Sequence, residues 1–305
     1  MQTLYAQKSH DNEENANDLK FLNESLESMI DLYLVILALL IELHKKAEEK
    51  SQRFQNKLLS SAGDKDPNFN LLNNKVLKKI RENAALKNTL AKRKLNVWDL
   101  DFEYVDIIYK DILSSDIYNN HNRAAEAKTF ADDKQFLIEI YSSVIAPHDK
   151  LYDYFEDKKL TWIDDLPVVN TFFIKVLKKL KIESPESQLL PELYKDQGDK
   201  EFAKRLYELT KENQKTLTEE INTKTTNWDA ERLANIDGVL LQMAVCELQK
   251  FPSIPVKVTI NEYLEIAKEY STPKSSIFIN GILDKLLKEY KQDNKYPKTG
   301  RGLIQ

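Results

Sequence analysis

Apolar residues recur along this chain at i, i+3, i+4 and i+7, and no stretch sustains the alternation of a half-buried strand. The spacing predicts helices over about 19–60, 71–94, 101–118, 132–146, 166–181, 199–224, 228–250, 258–270 and 273–291, so the fold class is all-α. "SSAGDKDPN" (60–68) reads as a turn or loop from its Gly, Pro, Ser and Asp. The most apolar run, "LYLVILALLI" (32–41), is about half of the roughly 20 residues that a membrane span needs and is bounded by Asp31 and Glu42. It predicts a core helix. The first thirty residues are mostly polar and lack the charged-then-apolar pattern of a leader.

The last two predicted helices carry the clearest punctuation. Thr259-Ile260-Asn261-Glu262 reads as a capping box, with Asn261 and Glu262 in structural roles, and "YSTP" ends that helix, with Thr272 as the next N-cap and Pro273 at the first helical position. Beyond it, Phe278, Ile279, Ile282, Leu283, Leu286, Leu287 and Tyr290 keep helical spacing straight through Asn280-Gly281. That dipeptide is therefore read as helical rather than as a hairpin turn. A helical Gly costs about 1 kcal/mol relative to Ala, which points to a close backbone crossing at Gly281, with Asn280 bonding a neighbouring element.

Composition supports the helical reading: of 305 residues only 6 are Gly and 9 Pro, while 31% are charged. The net charge of −4 conceals a segregated run, residues 75–94, with eight basic residues against one acidic. An acidic partner or a solvated helix face would account for it. The single cysteine, Cys246, lies in an apolar helical pattern and suits a buried thiol in a reduced, cytoplasmic setting.

Each of the three tryptophans has a lysine four positions earlier, and two of these segments align without a gap at an offset of 66. Asp133, Lys134, Phe136, Tyr141, Leu151, Lys158 and Trp162 fall on Asp199, Lys200, Phe202, Tyr207, Leu217, Lys224 and Trp228, seven of thirty positions. The expectation is a duplicated helical unit, 133–181 and 199–247, against coincidental amphipathic similarity.

Catalytic chemistry has little support. His10, His44, His121 and His148 are scattered without ligand spacing, no HExxH or cysteine cluster occurs, and "TGRG" lacks the context of a phosphate cradle. Neither catalytic residues nor a metal nor any other cofactor is expected, and an enzyme is the weaker class.

The segment "FPSIPVKVTINEYLEIAKEYSTPKSSIFINGILDKLL" (251–287) resembles the C-terminal half of the NusB transcription antitermination factors. "ERLANIDGVLLQMAVCEL" (231–248) resembles the family's preceding helix, and "MQTLYA" (1–6) the end of its first. The resemblance implies a NusB-like helical bundle made of residues 1–8 and 195–292, an inserted helical region at 9–194, as in long-form members, and a flexible tail at 293–305. "KRKLNVWD", "DDLPVVNT" and the "TGRG" tail are shared with that long form. It further implies binding of the boxA RNA element of nascent ribosomal transcripts together with NusE, a small-subunit ribosomal protein, within the RNA polymerase antitermination complex. Homodimerisation is a further option for the family. Carried over by position, the RNA face comprises Gln2, Tyr5, Lys274, Ser275 and Phe278, and Asp237 matches a position at the NusE interface. Core packing of Tyr5 and Phe278, and complementation of a helix dipole by Asp237, are the competing explanations.

Two departures stand out. Family members often place an acidic residue where this chain has Lys274, and they carry an arginine-rich segment ahead of the first motif, which here begins at Met1. The expected start therefore lies upstream; otherwise the basic runs 75–94 and 175–181 take over the cationic role. The alternative function is a helical protein-interaction scaffold that has lost RNA recognition. An RNA-processing enzyme fused to such a domain ranks last, because nothing in 9–194 resembles a cofactor motif.

Overall fold

A computed structural model describes residues 1–9, 15–56, 66–123, 128–190, 192–224, 235–293 and 298–303. Among the described residues the chain is predominantly helical, without strands, and it divides into two compact units. One comprises Met1–Asn23 and Tyr194–Gln305, the other Glu24–Leu193. No helix is long and apolar enough to cross a membrane among the described residues.

The unit Glu24–Leu193 is built on α2 (Asn15–Gln55), whose apolar run 32–41 is buried along its whole length. A helix apolar on every side must be covered on every side. Trp98 and Trp162 help to do so, their indole N–H groups donating to the Val35 and Ser28 carbonyls, both at 3.0 Å. The Tyr33 hydroxyl donates to the Leu189 carbonyl at 3.2 Å.

Residues 71–94 form not one helix but three: α3 (Phe69–Asn73), α4 (Lys75–Glu82) and α5 (Ala84–Arg93). Asparagine makes both breaks. Asn74 Oδ1 accepts from the Val76 and Leu77 amides at 3.0 and 2.9 Å, and Asn83 Oδ1 accepts from Leu86 at 2.7 Å, so each starts a helix as its N-cap. The fully buried Asn74 also donates to the Asp133 carbonyl at 3.1 Å, while the Asp133 carboxylate accepts from the Lys75 amide at 2.9 Å. The stretch 101–118 is likewise divided, into α6 (Phe102–Ser114) and α7 (Asp116–Arg123), with Ser115 Oγ accepting from the Tyr118 amide at 3.1 Å.

Then come α8 (Phe130–Ile140), a π-helical turn at Tyr141–Ile145, α9 (Asp149–Lys158), which the periodicity did not mark, and α10 (Thr161–Lys179). The last begins earlier than the spacing predicts, since Pro167 sits inside the helix rather than in its opening position. Half of the cations in 75–94 are committed to this architecture. Lys75 donates to the Lys128 carbonyl, Lys79 to the Ile182 and Ser184 carbonyls, Arg81 pairs with Glu48 at 2.7 Å, and Arg93 pairs with Asp31 at 2.5 Å.

In the other unit, α13 (Asn235–Lys250) is buried on nearly every face and is surrounded by α1 (Gln2–Ser9), α11 (Gln197–Glu212), α12 (Gln214–Asn222), α14 (Val256–Tyr270) and α15 (Ser275–Asp293). The Cys246 thiol is free and buried on α13, and burial pushes its pKa up.

Three local expectations are corrected here. The helix α14 starts one turn earlier than Thr259, after Pro255, so Thr259 is no N-cap and Asn261 and Glu262 lie exposed within the helix. Proline, with φ already fixed and no amide to satisfy, is well suited to that entry. Gly281 is helical as expected, but it is exposed, and no described atom lies within 4 Å of where its Cβ would stand. No crossing explains it. The chain near its end is packed at 298–303: the Thr299 amide donates to the Pro252 carbonyl at 2.9 Å, and a Cβ on Gly302 would stand 2.0 Å from that same oxygen.

Of the aligned segments 133–162 and 199–228, Tyr141 and Tyr207, and Leu151 and Leu217, are buried alike, whereas Asp133 is buried and Asp199 exposed. Trp228 lies outside the described residues.

Candidate functional site

The turn between α14 and α15 is tied to the first turn of α13 by one carboxylate. Asp237 is buried at 5% exposure and accepts from Ser271 Oγ at 2.6 Å and Ser275 Oγ at 2.7 Å, one hydroxyl to each oxygen. Ser275 Oγ lies a further 2.9 Å from Ser271 Oγ and 2.8 Å from Thr272 Oγ1. Four side chains thus close around the start of α15, and the Ser275 amide donates to the Thr272 carbonyl at 2.9 Å. The helix begins at Ser275, two residues after Pro273, because this serine is held inward.

The consequence for the expected site residues is a division of labour. Asp237 and Ser275 are buried and bonded to each other, so their side chains fix the turn rather than face solvent. Lys274, between Pro273 and the buried serine, is exposed, and the first amides of α15 follow it. Phe278 is partly buried against the core, one turn into the helix. Gln2 and Tyr5 lie on α1, with Tyr5 40% exposed while Leu4 between them is buried. Since α1 packs on α13, and Asp237 on α13 holds the start of α15, one helix supports both groups of residues.

A second polar cluster escaped the sequence reading. Glu247 on α13 is buried and accepts from Thr259 Oγ1 at 2.7 Å and the Tyr263 hydroxyl at 3.1 Å. Burial raises its pKa above the ordinary carboxylate range, an effect that the two hydroxyls and the charge of Lys298 oppose. The signal was present as a lone Glu in the apolar stretch "LLQMAVCEL", but its partners are set by packing. The cluster joins α13 to α14 and has an architectural role.

The profile of the NusB family matches residues 171–288. The chain is 42% identical over 112 residues to the transcription antitermination protein NusB of Salinibacter ruber, covering 37% of this chain and 70% of that protein. It is 36% identical over 129 residues to the NusB of Chloroherpeton thalassium, covering 42% of this chain and 61% of that protein. A third relative, the NusB of Methylacidiphilum infernorum, is 42% identical over 94 residues, which span 31% of this chain and 66% of that protein. No solved structure matches the chain.

Proposed function

The chain belongs to the NusB family, and on that premise we propose that it works in transcription antitermination by binding the boxA element of nascent ribosomal RNA together with NusE. Antitermination is the activity that the relatives' names carry; the RNA element and the partner are the finer reading. Its substrate is a single strand held noncovalently, a task that asks for cations, flat side chains and free amides rather than for catalysis.

The observation that carries the reading is the Asp237 lock. By holding Ser271 and Ser275 inward it fixes the first turn of α15, leaving Lys274 exposed beside the opening turn of a helix, whose N-terminus favours an anion. Lys274 supplies a charge for a phosphate, and Tyr5 and Phe278 supply rings. Asp237 then serves the interface by positioning it.

The test is binding of a boxA RNA against a scrambled control, with and without NusE, over a range of salt. Preferential binding that NusE strengthens is expected. The variant Lys274→Gln should lower the slope of log K against log[salt] by about 0.7, one phosphate contact to a single strand. Equal, weak binding of both RNAs with and without NusE would leave the chain a protein-interaction scaffold.

A further inference from the structure

Half of the basic run at 75–94 is spent on the fold, whereas a more compact group of cations, which no run in the sequence announces, lines a groove in the unit Glu24–Leu193. The groove, about 350 Å³, lies between the end of α2 and α6. Lys46, Lys50, Arg53 and Phe54 come from α2, and Lys110 from α6.

The acidic groups around it are already engaged. Asp106 pairs with Lys46. The Asp66 carboxylate accepts from the Ser51 hydroxyl on α2, from the Asn68 amide at 2.9 Å and from Asn68 Nδ2 at 2.7 Å. Lys50, Arg53 and Lys110 are exposed, and among the described residues no hydrogen bond or ion pair engages them. Three positive charges therefore face one groove with no hydrogen-bond or ion-pair partner among the described residues.

Their arrangement is linear. Lys46, Lys50 and Arg53 follow one another at about 6 Å and then about 4.5 Å along α2, from the helical rise of 1.5 Å per residue, and the partly exposed Phe54 stands at the end of the row. A row of cations ending in an aromatic ring is the arrangement by which single-stranded nucleic acid is held without regard to sequence, phosphates on the charges and a base on the ring. A small anion would need a closed pocket with converging donors. This groove is open to solvent.

We propose that the groove is a second RNA contact, a phosphate track for single-stranded RNA on the unit Glu24–Leu193, separate from the residues around Lys274. It rests on the RNA-binding reading of the chain, but it requires no sequence preference.

The experiment measures, on the full chain, the salt dependence of binding to a boxA RNA and to a single-stranded RNA of about 20 nucleotides lacking that element. Neutralising the groove's three unpaired cations with Lys50→Gln, Arg53→Gln and Lys110→Gln should lower the slope of log K against log[salt] by about 2 for both RNAs, three contacts at about 0.7 each. Three exposed lysines outside both basic runs, replaced as Lys150→Gln, Lys200→Gln and Lys215→Gln, should leave it nearly unchanged. Phe54→Leu, which keeps an apolar side chain for folding, should weaken binding roughly tenfold at constant slope.

A fall in slope without preference for boxA would uphold the groove while the boxA reading fails. Retained boxA preference with an unchanged slope would overturn the groove alone. Equal losses in the two triple variants, or a groove variant that binds RNA like the parent but loses polyglutamate, would also overturn it, the latter by assigning the groove to an acidic protein.

Discussion

Asp165 shows how a single side chain can cost the fold stability. It sits half-buried on α10, its Oδ2 has no hydrogen-bond partner among the described residues, and burial with Asp164 alongside pushes its pKa up to about 6. For an acid whose folded pKa is raised, the penalty is absent below the unfolded value near 3.8, grows between the two values and is complete above about 6. Asp165→Asn should therefore raise the melting temperature at pH 7, and the advantage should vanish below pH 4. Thermal unfolding of both proteins across that range checks it, and a gap independent of pH would exclude the carboxylate as its source. At this scale the sequence was legible unevenly. Lys274 and Tyr5 are exposed and Asp237 lies at a helix start, as their positions in the sequence allow. That Asp237 would grip Ser271 and Ser275, 34 and 38 residues away, was not, because partners so remote are chosen by packing rather than by local pattern.

Helices were legible as helices, yet their ends were not. The amphipathic period runs unbroken through Asn74 and Asn83, and only the competition of their side chains for backbone amides divides 71–94 into three helices. Asn74→Ala would remove the cap and leave the amides of Val76 and Leu77 without their acceptor in the interior. It should cost about 1–3 kcal/mol in chemical denaturation. The opposite sign is expected at Gly281, where open space surrounds the missing Cβ. There Gly281→Ala should stabilise the free protein by about 1 kcal/mol. A loss of stability instead would show that a neighbour does come close to that helix face.

Over the whole molecule, the all-α class follows from periodicity, while the grouping of helices into two cores does not. The two ends of the chain contribute to one unit: Leu4 is in its core, and Leu19 and Leu22 pack against it with residues beyond Tyr194. The other unit has a core drawn entirely from its own residues. Residues 24–193 alone should therefore unfold cooperatively with helical circular dichroism, whereas residues 194–305 without the first 23 should lose cooperativity. A fragment 24–193 that failed to show a sharp transition would contradict this division.

That shared core also sets an order of events on the ribosome. The first 23 residues emerge early and must wait while the 170 residues of the intervening unit are made. At 5–20 residues per second the delay is roughly 10–35 s before their partner helices begin to appear. The unit Glu24–Leu193 can complete its core during translation, and the unit that carries Tyr5 and Lys274 closes after it.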